Sequence, residues 1–237
     1  MATMRARRRR IVAAAISACA AMLPVSGDFN PVAAQVVRAC PPVKGGVNLF
    51  VETDGGRVVY DHTLNKQRLR ALALKIGSIA AGSRQQPLGL TTVSRIWDPD
   101  LRLQGANIGR NRFCARIDTL KIKIVFNDLR VYVARDYPRG SCQYAAIIAH
   151  EHEHVDIFRT VLNKYRAIIE RRSLAFVSNM KPGLGLTQEE AYQKVIRQID
   201  HLWDELEQDM SREMAAKNAT IDSPESYKQL SRQCRNW

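Results

Sequence analysis

The clearest periodicity lies in the C-terminal half of the chain. Residues 141–176 contain no Pro or Gly, and at about 100° per residue Ile147, Phe158, Val161, Leu162, Tyr165, Ile168 and Ile169 fall on one stripe. This predicts a single long helix, bounded by Pro138 and Gly140 before it and by Asn179, Pro182 and Gly183 after it. A second long helix is predicted over residues 187–217. Thr187 with Glu190 forms its capping box, and Val195, Ile196, Ile199, Leu202, Trp203, Leu206, Met210 and Met214 form its buried stripe. The short Gly/Pro connection predicts that the two helices pack antiparallel.

The N-terminal half alternates with period two instead. Residues 47–60 read as a hairpin, with Asp54-Gly55-Gly56 between two Val-rich runs. Residues 64–81 read as an amphipathic helix, 88–97 as a strand and 105–112 as a polar loop. In residues 116–126, Leu120, Ile122, Ile124 and Phe126 face one way, with Lys121 and Lys123 facing the other. Asn127-Asp128 then predicts a turn into a strand over 129–135. That second hairpin leads into the first long helix, and its last strand is a candidate sheet edge for holding an extended peptide by β-addition.

Candidate chemistry enters on the helix itself. His150-Glu151-His152-Glu153-His154 contains H-E-x-x-H. Residues four apart share a helix face, so His150 and His154 can grip one Zn²⁺, with Glu151 beside it as general base. These three fall within the apolar stripe, whereas His152, Glu153 and Asp156 fall on the opposite side. Ionisable groups on an inward face need compensation, and a divalent cation bound by neutral imidazole and carboxylate supplies it. A catalytic zinc needs a third protein ligand. Neither Gly nor His stands where the extended H-E-x-x-H-x-x-G-x-x-H pattern requires them. Mirroring the helices about Lys181–Pro182 sets residues 207–214 opposite the motif, which nominates Glu207 first and Glu213 second. His201 and Asp204 lie off the stripe.

The first 34 residues read as a secretory signal peptide. Arg5 and Arg7 to Arg10 precede an apolar run from residue 11 to 23, and Val32-Ala33-Ala34 offers a cleavage site before Gln35. The run is too short for a membrane span. A lipoprotein box ending at Cys19 is the alternative. This predicts a periplasmic or secreted protein with no transmembrane helix in the mature chain. The net charge of +13 favours anionic surfaces, but export and dispersed basic residues argue against nucleic acid. Cys40, Cys114, Cys142 and Cys234 remain, an even number for an oxidising compartment. Cys114 and Cys142 bracket the strands before the metal helix and Cys40 and Cys234 lie near the chain ends, so the expected pairs are Cys114–Cys142 and Cys40–Cys234.

Over residues 113–234, Ser141-Cys142-x-Tyr144, the H-E-x-x-H stretch and Ile221-Asp222-Ser223-Pro224-Glu225-Ser226-Tyr227 resemble a bacterial family of unknown function described as predicted secreted zinc-dependent proteases. Members carry Tyr-Asp-x-x-Thr-x-His near the C-terminus, and here Tyr227 stands in place of the His. The resemblance thus adds Asp222 and Tyr227 as alternative third ligands.

The expectation is one α+β, zincin-like domain over residues 35–237: an N-terminal antiparallel sheet with one helix, then two long antiparallel helices carrying H-E-x-x-H. The expected function is an exported zinc peptidase acting on protein, peptide or peptidoglycan peptide through a zinc-activated water, with Glu151 as base. The alternatives are a non-catalytic envelope protein that keeps a metal site, and a binding module for anionic cell-surface polymer.

Overall fold

A computed structural model describes residues 38–82 and 84–237. The expected signal peptide and Cys19 lie outside the described residues. The chain is mixed α and β, with seven strands and four helices among the described residues.

The strands are β1 (Asn48–Asp54), β2 (Val58–Asp61), β3 (Gly89–Thr92), β4 (Arg95–Gly109), β5 (Arg112–Phe126), β6 (Leu129–Val133) and β7 (Gly183–Gly185). They form one sheet in the order β1-β5-β4, with β7 also on β5, and a second in the order β2-β6-β3. The two sheets share a register. β1 pairs parallel with β5 from Asn48 opposite Thr119, and β2 pairs parallel with β6 at the same offset, Val58 opposite Leu129. On the other side, β3 pairs antiparallel with β6 and β4 with β5. The two expected hairpins are therefore bends. β5 and β6 are one extended run broken at Asn127-Asp128, where Asn127 N–H donates to Ser94 O and Ser94 N–H to Asp128 O. β1 and β2 bend beside them at Asp54-Gly55-Gly56. Gly56 is required there: its φ is +67°, and a Cβ would collide with the Phe126 carbonyl. The sheets are mixed rather than antiparallel, and β6 lies in the middle of its sheet rather than at an edge; β2 and β3 are its edge strands.

Residues 105–112, read as a loop, are instead strand and hairpin tip. Arg110 and Asn111 both have positive φ, 49° and 53°, between the paired Gly109 and Arg112, the signature of a two-residue type I′ turn. Polar Arg-Asn in place of Asn-Gly concealed it.

The helices are α1 (Lys66–Lys75), α2 (Cys142–Asn179), α3 (Gln188–Ile221) and α4 (Pro224–Arg232). α1 stops short of the expected residue 81 because Gly77, at φ +73°, lets Ser78 N–H return to Ala73 O. Ser141 caps α2 by accepting from Tyr144 N–H, and Thr187 caps α3 by accepting from Glu190 N–H. The Glu190 carboxylate reaches the Leu186 N–H, one residue before the cap. The predicted stripes are buried: Val161, Leu162 and Ile169 on α2 meet Val195, Ile199 and Leu206 on α3, over Leu120, Ile122, Ile124 and Phe126 of β5. Partners descend along α3 as they ascend along α2. His154 meets Asn218, Lys164 meets Glu213, and Arg172 meets Asp209 and Glu205, so the two helices run in opposite senses. No helix among the described residues is long and apolar enough to cross a membrane.

Both expected disulfides are corrected. The bonds are Cys40–Cys114 and Cys142–Cys234. A hairpin would have brought Cys114 and Cys142 together, but β5 and β6 continue in one direction, so Cys114 sits near the start of that run and Cys142 beyond its end. Arg38 N–H donates to Ile108 O, which lays the segment before Cys40 beside the tip that holds Cys114. Cys234 follows α4 back to the start of α2, where it packs with Ala146 and Leu230. Two disulfides suit an oxidising compartment.

Non-reducing proteolysis with mass spectrometry should yield linked peptides for Cys40–Cys114 and Cys142–Cys234. A Cys114–Cys142 peptide would contradict the continuous β5–β6 run.

Candidate metal centre

Helical phase delivers the three motif residues to the interior. His150, Glu151 and His154 are 7%, 4% and 8% exposed, while His152, Glu153 and Asp156 are exposed. Their ligand atoms lie within 4.8 Å of one another. Such a group of buried ionisable side chains is stable only with compensating charge.

A fourth residue completes the cluster. Asp222, the C-cap of α3, puts Oδ1 3.4 Å from His150 Nε2 and 3.3 Å from His154 Nε2. His150 Nε2 is buried and makes no hydrogen bond. Atoms bound at about 2.0–2.1 Å on a tetrahedron around zinc lie about 3.3–3.4 Å apart, so these separations fit a shared metal. Tyr227, on α4, donates its hydroxyl to the same Asp222 Oδ1 at 3.0 Å, and its ring lies against His150 with centroids 5.6 Å apart.

Glu207 is not at this site. It pairs with Arg95 on β4 at 2.9 Å, and Glu213 pairs with Lys164 at 2.6 Å. The mirror placed at Lys181–Pro182 was too early, because β7 and the residues up to the Thr187 cap precede α3. The His154–Asn218 pair is symmetric about residue 186. An error in the centre of a helical hairpin counts double at its arms, so the level opposite the motif moves by about two and a half turns, from residues 207–214 to the stretch that holds Asn218 and Asp222. Of the alternatives, Asp222 and Tyr227 are brought to the histidines.

Three supporting residues were not anticipated. Thr91, on β3, donates its hydroxyl to Glu151 Oε2 at 2.7 Å and lies 3.1 Å from the Glu151 carbonyl. Gly89, on the same strand, gives Glu151 room: a Cβ there would collide with Glu151 Oε1 and stand 2.7 Å from Ile147 Cγ2. Asn218, one turn before Asp222, places Oδ1 2.6 Å from His154 Nδ1. The Asn218/Asp222 spacing of four was the one available signal, but it lay past the expected end of the helix at residue 217.

The charges shift one another as such packing requires. Burial pushes the Glu151 carboxyl up, partly opposed by His154, the Thr91 hydroxyl and His150. Burial pushes His154 down, but contact with Asp222, the Glu151 charge and Asn218 outweigh it and raise the imidazole to about 9. Burial would raise Asp222, yet its contacts with both histidines and Tyr227 hold it well below the carboxylate range. Burial and the adjacent Asp222 charge push the Tyr227 hydroxyl up.

The cluster opens into a cleft of about 510 Å³ bounded by the edge strand β3, by Phe158, and by Ala215 and Ala219 on α3. A larger cavity, about 880 Å³, lies at the other end of the helix pair and is lined by Arg172, Lys194, Arg197 and His201 over Phe176 and Leu202. The smaller cleft is the better candidate because it alone of the two reaches the buried ionisable cluster.

No family model, curated protein or solved structure matches the chain.

Gly89→Ala should cost about 1–3 kcal/mol, as overpacking against Ile147 and Glu151 does. Chemical denaturation of the two proteins checks this, and an unchanged midpoint would show that the Gly89 contact is not tight.

Proposed function

We propose that the protein is an exported zinc-dependent peptidase, with His150, His154 and Asp222 as metal ligands and Glu151 as general base. The observation that carries this reading is the convergence of His150 Nε2 and His154 Nε2 on Asp222 Oδ1, at 3.4 and 3.3 Å, directly beside a buried carboxylate. The H-E-x-x-H order, the resemblance to predicted secreted zinc-dependent proteases and the two disulfides agree with it.

Zinc held there supplies a Lewis acid that polarises the scissile carbonyl and acidifies water. The chain's own residues do the rest. Glu151 takes a proton from the attacking water and passes it to the leaving amine. Burial of its carboxyl raises its proton affinity, which suits a group that must both accept and return a proton near neutral pH. The Thr91 hydroxyl holds Glu151 Oε2, while Oε1 lies against Gly89, which also lines the cleft. β3, paired with β6 on one side only, offers the edge along which an extended substrate adds as a strand. Tyr227 donates its one hydroxyl hydrogen to Asp222 Oδ1 and so helps to hold that carboxylate beside the histidines. Substrates in this reading are proteins, peptides or the peptide bridges of peptidoglycan.

A second reading, binding of an anionic cell-surface polymer, draws on the larger cavity with its Arg197, Lys194 and His201. It is the weaker one. Arg172 is already paired with Glu205 and Asp209 at 2.9 and 3.1 Å, and Lys194 donates to the Leu184 carbonyl at 2.5 Å.

Purified protein should carry about one zinc per chain. In competition with a chelator, Asp222→Ala should weaken zinc binding by more than about 100-fold, beyond what changes outside the ligand set cause, while Glu207→Ala should bind like wild type. The reverse order would remove Asp222 from the site. Glu151→Gln should keep its zinc and lose about 10²–10⁴-fold in peptide hydrolysis. Wild-type hydrolysis by that variant would sink the mechanism.

A further inference from the structure

The hydrogen bonds around His154 select one tautomer of its ring. Asn218 lies on the same face of α3 as Asp222, one turn earlier. Its amide orientation is fixed by the network: Nδ2 donates to the Met214 carbonyl at 2.6 Å, which leaves Oδ1 as the atom 2.6 Å from His154 Nδ1. A carbonyl oxygen can only accept, so Nδ1 must carry hydrogen. In the neutral ring the lone pair then sits on Nε2, the nitrogen 3.3 Å from Asp222 Oδ1.

With Nδ1 protonated, the Nε2 lone pair of the neutral ring faces an anionic oxygen, which is unfavourable unless a positive charge lies between them. The other tautomer would close the site by donating Nε2–H to Asp222. It would also set an Nδ1 lone pair against Asn218 Oδ1 at 2.6 Å. Asn218 therefore disfavours the form of His154 that seals the site with a neutral hydrogen bond and favours the form whose Nε2 lone pair takes a positive charge, a metal ion or, in its absence, a proton.

We infer that Asn218 is a positioning residue that keeps His154 Nε2 available to the metal, so that one turn of α3 supplies both a ligand, Asp222, and the acceptor that sets the tautomer of another. The inference rests on the zinc reading above.

Two substitutions separate this role from a structural one. Asn218→Asp keeps an acceptor for His154 Nδ1–H but loses the donor to Met214. Asn218→Leu loses both. Zinc affinity, measured by competition with a chelator, should fall about 10–100-fold in Asn218→Leu, as loss of a partner behind a ligand does. Asn218→Asp should stay within a few-fold of wild type or bind more tightly. Equal affinity of Asn218→Leu and wild type would overturn the inference, and so would an Asn218→Asp protein as weak as Asn218→Leu, which would locate the effect in the Met214 bond. Nitrogen-15 NMR of the zinc-loaded wild-type protein needs no variant: His154 should show a protonated Nδ1 and a metal-bound Nε2. A metal-bound Nδ1 would refute the assignment. A wild-type protein that takes up no zinc would overturn the zinc reading itself and this inference with it, whereas zinc uptake with no Asn218 effect would overturn this inference alone.

Discussion

Everything at this site depends on the meeting of two imidazole nitrogens and one carboxylate oxygen at the crossing of α2 and α3. His150, Glu151 and His154 are buried on an otherwise apolar helix stripe, where uncompensated charge is costly. Asp222 adds a further carboxylate rather than relieving the first. The buried Glu151, the more exposed Asp222 and the two imidazoles form a coherent group only around positive charge, whether protons on the rings or a cation among them. The two Nε2–Oδ1 separations, 3.4 and 3.3 Å, match those of atoms around one small ion.

The surrounding fold serves that meeting point from three directions. The bent β5–β6 run carries β3, an edge strand, to α2, where Gly89 and Thr91 settle the Glu151 carboxylate. The antiparallel packing of α2 and α3 sets Asn218 and Asp222 at the level of His154. Finally, Cys142–Cys234 ties the start of α2 to the end of α4, and the Tyr137 and Trp237 rings meet edge to face nearby. The segment that carries Tyr227 is thus anchored beyond both of its ends, by α3 on one side and by a covalent bond on the other. Such a cross-link over a long loop contributes about 2–4 kcal/mol to a typical fold.

What was legible in the sequence was local. Helical phase alone placed His150, Glu151 and His154 inward and His152, Glu153 and Asp156 outward, because side-chain direction on a helix follows from spacing. The alternation through Leu120, Ile122, Ile124 and Phe126 likewise gave the buried face of β5. What failed was long-range. Asp54-Gly55-Gly56 and Asn127-Asp128 have the composition of reversing turns, yet at both places the chain bends and goes on. Composition cannot distinguish a bend from a reversal when the partner strand is remote in sequence. That one misreading also produced the wrong disulfides. The level on α3 opposite the motif was misjudged for a related reason: a three-residue strand, β7, occupies part of the connection between the helices, and three residues give almost no periodic signal.

The most direct test of the account is X-ray absorption spectroscopy at the zinc edge on the purified, zinc-loaded protein. The account predicts only nitrogen and oxygen neighbours at about 2.0–2.1 Å, with the outer-shell scattering of two imidazoles. Sulfur at about 2.3 Å, or scattering from fewer than two imidazoles, would contradict a centre built on His150, His154 and Asp222.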